Sequence, residues 1–151
     1  MKKAFFSIAV VSFSLLIACN NSTTGTTDAD SATADTLMKE VMKGHDVGMA
    51  KMQKLSAAQK RTEELLDSIA RLPAKAKEAT ASLKTNLDSL VKDLNYADFA
   101  MNKWMSEFNY DSFRNDMKER IRYLTDERLK VGKTKEAILN SLAKADSILI
   151  K

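Results

Sequence analysis

Residues 83–108 read LKTNLDSLVKDLNYADFAMNKWMSEF. Within them Leu83, Leu87, Leu90, Leu94, Ala97, Met101, Trp104 and Phe108 step by 4, 3, 4, 3, 4, 3 and 4 residues. That spacing returns an apolar side chain to one helix face at every turn and repeats every seven residues, the pattern of helices that pack along a shared seam. A half-buried strand would alternate apolar and polar residues, and nothing here does. The stretch therefore predicts a long amphipathic helix that must bury one stripe against neighbours.

Working outward, Pro73 suits a first helical turn but not a helix interior, so it marks a break on the N-terminal side. Asn109-Tyr110-Asp111-Ser112 supplies capping side chains for a second break. Beyond it Met117, Leu124, Val131, Ile138 and Ala145 sit seven apart, so the phase passes straight through Gly132, which reads as a kink rather than a turn. Three long helices are predicted, over 36–71, 73–108 and 112–150. Short connections make neighbours antiparallel, which gives an all-α, up-down-up bundle about 50 Å long at about 1.5 Å per residue.

The chain opens as an export signal. Lys2 and Lys3 supply a positive start, and Ala4 to Ala18 an apolar run too short to span a bilayer stably. The run ends Leu16-Ile17-Ala18-Cys19, which resembles the bacterial lipobox, whose cysteine is lipidated and becomes the new N-terminus. Residues 1–18 are thus the expected leader. Residues 19–35, rich in Ser, Thr, Asp and Ala, are expected to be the lipidated cysteine and a flexible linker, and 36–151 the bundle.

Losing the leader removes two of the 24 basic residues and leaves 22 against 20 acidic ones. A near-neutral chain with interleaved charges has no basic stripe, which excludes nucleic acid as a partner. A single His, no thiol left after lipidation and no Gly-rich phosphate loop give no nucleophile and base pair, so no enzyme is expected.

The chemistry-bearing residues gather at one end. Met38, Met42, His45, Met49 and Met52 step by 4, 3, 4 and 3 and are predicted to share an inward seam. Reflection through Pro73 brings His45 level with Met101 and Met42 level with Trp104, and reflection near residue 110 brings Met117 level with about residue 103. All seven methionines of the mature chain then lie in the linker-proximal half, with the only His and the only Trp. Methionine is a common gap-filler, so a packed core is the plain reading. The sharper one is a soft-metal site: thioethers and imidazole suit Cu(I) or Ag(I). Its candidate ligands are His45, Met49, Met101 and Met105, with Met42 in reserve and Trp104 as ring cover. Asp46 would face solvent or orient the imidazole. Gly44 and Gly48 each cost about 1 kcal/mol in a helix relative to Ala, a cost that close approach by another group would offset.

The segments His45-Asp46-x-x-Met49-x-Lys51-Met52 and Ala97-Asp98-x-x-Met101-x-x-Trp104-Met105-x-x-Phe108 resemble two motifs of small helical lipoproteins of Bacteroidota, often labelled viral A-type inclusion protein. That resemblance implies an outer-membrane lipid anchor through Cys19 and assigns no reaction; no acidic cluster closely follows Cys19 to signal surface display, so the anchor is expected to face the periplasm. Three functions stay open: a scaffold or interaction bundle with an envelope protein partner, Cu(I) or Ag(I) handling, and carriage of an apolar ligand or peptide in a Met-lined pocket.

Overall fold

The structure, a computed structural model, describes residues 23–149. The leader and Cys19 lie outside the described residues. Five helices follow one another: α1 Thr23–Met49, α2 Met52–Ala70, α3 Ala74–Ala79, α4 Ala81–Glu107 and α5 Met117–Leu149. The fold is an all-α helical bundle with no strand among the described residues, as the heptads require.

α1 and α2 run parallel to α5, and ion pairs Glu40–Arg128 at 2.8 Å and Lys54–Asp146 at 2.9 Å tie them along its length. α4 runs the other way, held to α2 by Gln59–Asn95 at 3.0 Å and to α5 by Lys144, which bonds both Ser89 and Asp93. α1 lies mainly against α5, and α2 mainly against α4. Leu55, Leu87, Leu90, Leu94 and Ile138 are fully buried between them. Each such side chain contributes about 2 kcal/mol of transfer free energy.

Five expectations need correction. The linker does not extend to residue 35, because α1 starts at Thr23 and Ala34 is 2% exposed. Its small residues are what let it join the bundle: Ala34 packs with Leu37, Met38 and Leu124, while the Thr33 and Thr36 hydroxyls bond back to the carbonyls of Ala29 and Ala32. The first long helix divides at Ala50 and Lys51, where the Lys51 N–H bonds Gly48 rather than Val47, just past the two glycines that weaken the local helix. That break is where the chain passes from α5 onto α4.

The second long helix is interrupted at Thr80, whose hydroxyl bonds the Ala76 carbonyl and so competes with the backbone ladder. The third starts at Met117 instead of residue 112. Its cap is Asp116, which accepts the Glu119 N–H at 3.1 Å, whereas Asn109 closes a turn on Asp111. α5 runs unbroken through Gly132.

The first-helix seam is the fifth correction. The buried line on α1 is Ala34, Leu37, Met38, Val41 and Gly48; Met42 and His45 are half-buried and Met49 is 38% exposed. The glycines decide this. A methyl added to Gly44 would lie 2.9 Å from Val131 Cγ1, and one added to Gly48 would lie 2.4 Å from Met101 Cε and 3.3 Å from Ile138 Cδ1. At this end α1 therefore turns its smallest residues toward its neighbours, and Met42 and Met49 fall to the flank.

Gly44 and Gly132 should respond differently to Ala. Gly132 has open space around it. Gly132→Ala is expected to stabilise the bundle by about 0.5–1 kcal/mol through helix propensity alone. Gly44→Ala meets the stiff, β-branched Val131, so overpacking should exceed the propensity gain and leave a net loss of about 1 kcal/mol. Urea unfolding of both variants checks the pair, and a Gly132→Ala protein less stable than its parent would contradict the account of α5.

Candidate functional site

The segment that carries His45 meets the C-terminal end of α4. The register differs from simple reflection: His45 faces Trp104, with ring centroids 5.6 Å apart, and Gly48 receives Met101. The turn between the paired helices is not centred on Pro73, because α3 and the break at Thr80 intervene. On the other side Trp104 pairs with Glu127, so Met117 does not come level with residue 103; nine residues connect α4 to α5, not a tight turn.

Trp104 organises the neighbourhood. It is 6% exposed, stacks on Phe108 at 4.8 Å and donates its indole Nε1–H to Glu127 Oε2 at 2.9 Å. The rings continue from Phe108 to Tyr123 at 6.2 Å and from Tyr123 to Phe113 at 5.9 Å, so a row of aromatic side chains runs from α1 across the end of α4 to the loop before α5. The Tyr123 hydroxyl accepts the Asn109 N–H at 2.8 Å. Arg120 holds the loop by donating to the carbonyls of Tyr110 and Ser112. Phe113 sits at φ 57, a left-handed conformation that is strained for a bulky residue, and its ring leans on Tyr123.

Glu127 was missed at the level of sequence. Its side chain is 5% exposed, and its second oxygen accepts from Lys130 Nζ at 2.7 Å. That hydrogen bond to Glu127, partly offset by desolvation, raises the Lys130 pKa above the ordinary lysine value. A signal for it existed: Arg120, Glu127, Thr134 and Ser141 are also seven apart, a polar partner to the apolar seam of α5, and the last three are buried. The charge of Glu127 made it read as surface.

The proposed soft-metal ligands are placed as follows. His45 is half-buried, and its Nδ1 lies 3.0 Å from Asp46 Oδ1, with the Asp46 side chain itself 71% exposed. In the neutral tautomer that donates Nδ1–H to this carboxylate, Nε2 is the nitrogen with a lone pair to offer. Met101 is 0% exposed with its methyl in the Gly48 notch. Met49 and Met105 are 38% and 37% exposed, and Met42 is half-buried on the flank of α1. Trp104 has aromatic neighbours, Phe108 and His45. Among the described residues no group of three His, Cys, Asp or Glu comes together, so the nitrogen and oxygen ligands zinc would need are not assembled there.

Four surface grooves of about 320 to 470 Å³ line the helix junctions, and no methionine is in their walls. One runs between α4 and α5 and is walled by Tyr96, Phe99, Ala100, Lys103, Lys130 and Lys133, with Trp104 at its base.

Glu127→Ala is expected to cost about 2 kcal/mol, because it leaves a buried indole N–H without an acceptor. Glu127→Gln keeps that acceptor and should cost less. The Lys130 contribution is small, since the lysine is mostly exposed. A group whose folded pKa is raised stabilises below its ordinary value of about 10.5 and loses the contribution as pH climbs through the folded value, so the Glu127→Gln penalty should shrink only in strongly alkaline buffer. Urea unfolding followed by Trp104 emission measures both variants, and equal stabilities for the parent and Glu127→Ala would refute the role given to this pair.

Comparison of the chain with protein-family models, with curated proteins and with solved structures finds no match.

Proposed function

We propose that the chain is a non-catalytic, lipid-anchored interaction module of the bacterial envelope: a helical bundle held at the outer membrane through Cys19, facing the periplasm, that engages an envelope protein with its side. The observation that carries this reading is the pair Tyr96 and Phe99. These rings are 64% and 60% exposed and stand one turn apart on α4, whose other large apolar side chains from Leu87 to Trp104 are mostly buried. Adjacent exposed rings on the wall of a groove mark contact surfaces more often than solitary exposed residues do. The anchor rests on the lipobox-like end of the leader and on the resemblance to envelope lipoproteins. No described helix is long and apolar enough to cross a membrane, and in this reading the lipid on Cys19 makes the attachment.

A second reading, Cu(I) or Ag(I) handling, is favoured by the His45–Asp46 contact, which orients the ring and leaves Nε2 free beside a methionine-rich segment. In this reading Met49 and Met105, both partly exposed, are the accessible sulfurs, and Met101 would have to leave its notch. The carrier reading would need a Met-walled pocket, and none of the four grooves is one.

Cys19→Ala is expected to move the protein from the membrane to the soluble fraction, as judged by fractionation and by loss of metabolic fatty-acid labelling. Retention in the membrane without label would overturn the anchor. For the metal, an anaerobic Cu(I) titration against a competing chelator separates the readings: a site at His45 predicts binding that falls at least about tenfold in His45→Ala. A parent protein that takes no Cu(I) removes the second reading.

A further inference from the structure

The groove between α4 and α5 is longer than one pocket. A second depression, lined by Asp93, Tyr96, Ala137, Asn140, Ser141 and Lys144, continues it and shares Tyr96 with it. Together they run from Asp93 to Glu107 on α4 and from Lys130 to Lys144 on α5. At about 1.5 Å per residue that is about 21 Å, or four helical turns. The lining includes small side chains, Ala100, Thr134, Ala137 and Ser141, while Tyr96 and Phe99 stand up as the wall. A long trough with small residues along it and rings at one side fits a helix laid lengthwise, with anchors at i, i+3, i+4 and i+7.

The charges select the helix. Lys103, Lys130, Lys133 and Lys144 line the trough, against Asp93 and Glu107. Glu107 is bonded to Lys103, Asp93 to Lys144, and the buried Glu127 to Lys130. Lys133 forms no ion pair among the described residues. The rim is therefore net positive, with its uncompensated charge beside Phe99. A second copy would bring one net-positive rim against another, which like-charge repulsion disfavours. A concave trough also matches a rod better than a flat bilayer.

We infer that this trough is the docking site for an amphipathic helix of a partner protein, about four turns long, with acidic residues beside its apolar stripe. The inference rests on the interaction-module reading and names the surface and the chemistry of the partner. The apolar stripe would cover Tyr96 and Phe99 and supply the affinity. The carboxylates would meet Lys130 and Lys133 and set orientation and association rate.

The chain from residue 19 onward, carrying Cys19→Ser, can be titrated with a synthetic helical peptide of about 15 residues, matched to four turns, with Leu at the anchor positions and Glu flanking them. Trp104, the only Trp, lies at the trough and reports occupancy by its emission, while amide shifts locate the contact. Saturable binding is expected, with shifts confined to the α4–α5 trough. Phe99→Ser and Lys133→Glu should each weaken it by about tenfold or more, with the helical circular dichroism unchanged. A control peptide with Lys in place of Glu should bind far more weakly. Equal binding of the two peptides, shifts on α1 or α2 instead, occupancy of the trough by anionic phosphatidylglycerol vesicles but not by peptide, or a dimer that protects the trough would each overturn the inference. The broader reading fails separately: it is lost only if photo-crosslinkers placed on every exposed face of the bundle, α1 and α2 included, yield no discrete adduct in cells.

Discussion

Two glycine notches in α1 govern how the bundle closes. Gly44 and Gly48 are the points at which Val131, Met101 and Ile138 reach the α1 backbone, and both would-be methyl positions fall inside hard contact with those side chains. Because the neighbours can come that close, α1 lies flush on α5, Met42 and Met49 move to its flank, and His45 is turned toward Trp104. The helix-weakening glycines also precede the break at Ala50 that lets α2 cross to α4. Large residues at 44 and 48 would push α1 outward and undo the contacts on either side.

The second constraint is polar. A carboxylate buried in a helical core is costly unless its acceptor sites are used, and Glu127 uses both oxygens, one on Trp104 and one on Lys130. Apolar seams slide by a heptad at modest cost; a single indole-to-carboxylate bond does not. Trp104 and Glu127 thereby fix the level of α4 against α5, and with it the stack of Phe108, Tyr123 and Phe113 that closes the end of the bundle.

The helical architecture was legible because the seam of α4 is nearly pure: Leu87 through Trp104 are buried as the spacing of residue 83 onward requires, with only Leu83 left 40% exposed. Helix ends were less legible. Thr80 and Asp116 act through local side-chain-to-backbone hydrogen bonds, and a sequence offers many residues of the same types. The segment from Thr23 to Asp35 looked too polar to fold, since its contribution comes from Ala34 being small rather than from any large apolar side chain. The candidate site was half legible. The meeting of the His45 segment with the end of α4 follows from folding back, but which methionine points where depends on the notches, and reflection cannot see those. Tyr96 and Phe99 were invisible because they sit off the seam, where a sequence gives no reason to expect a groove.

The parallel pairing of α1 with α5 also orders events in time. The Glu40–Arg128 and Lys54–Asp146 contacts close loops of 88 and 92 residues. The segment that leaves the ribosome first thus finds its main packing partner only after nearly the whole chain has been made. Non-local contacts of this kind form late, because loop closure must precede them. Until α5 is available, α1 has an apolar stripe and no surface to lay it on. The bundle therefore closes only once the C-terminal helix is complete, and α1 waits longest for its partner.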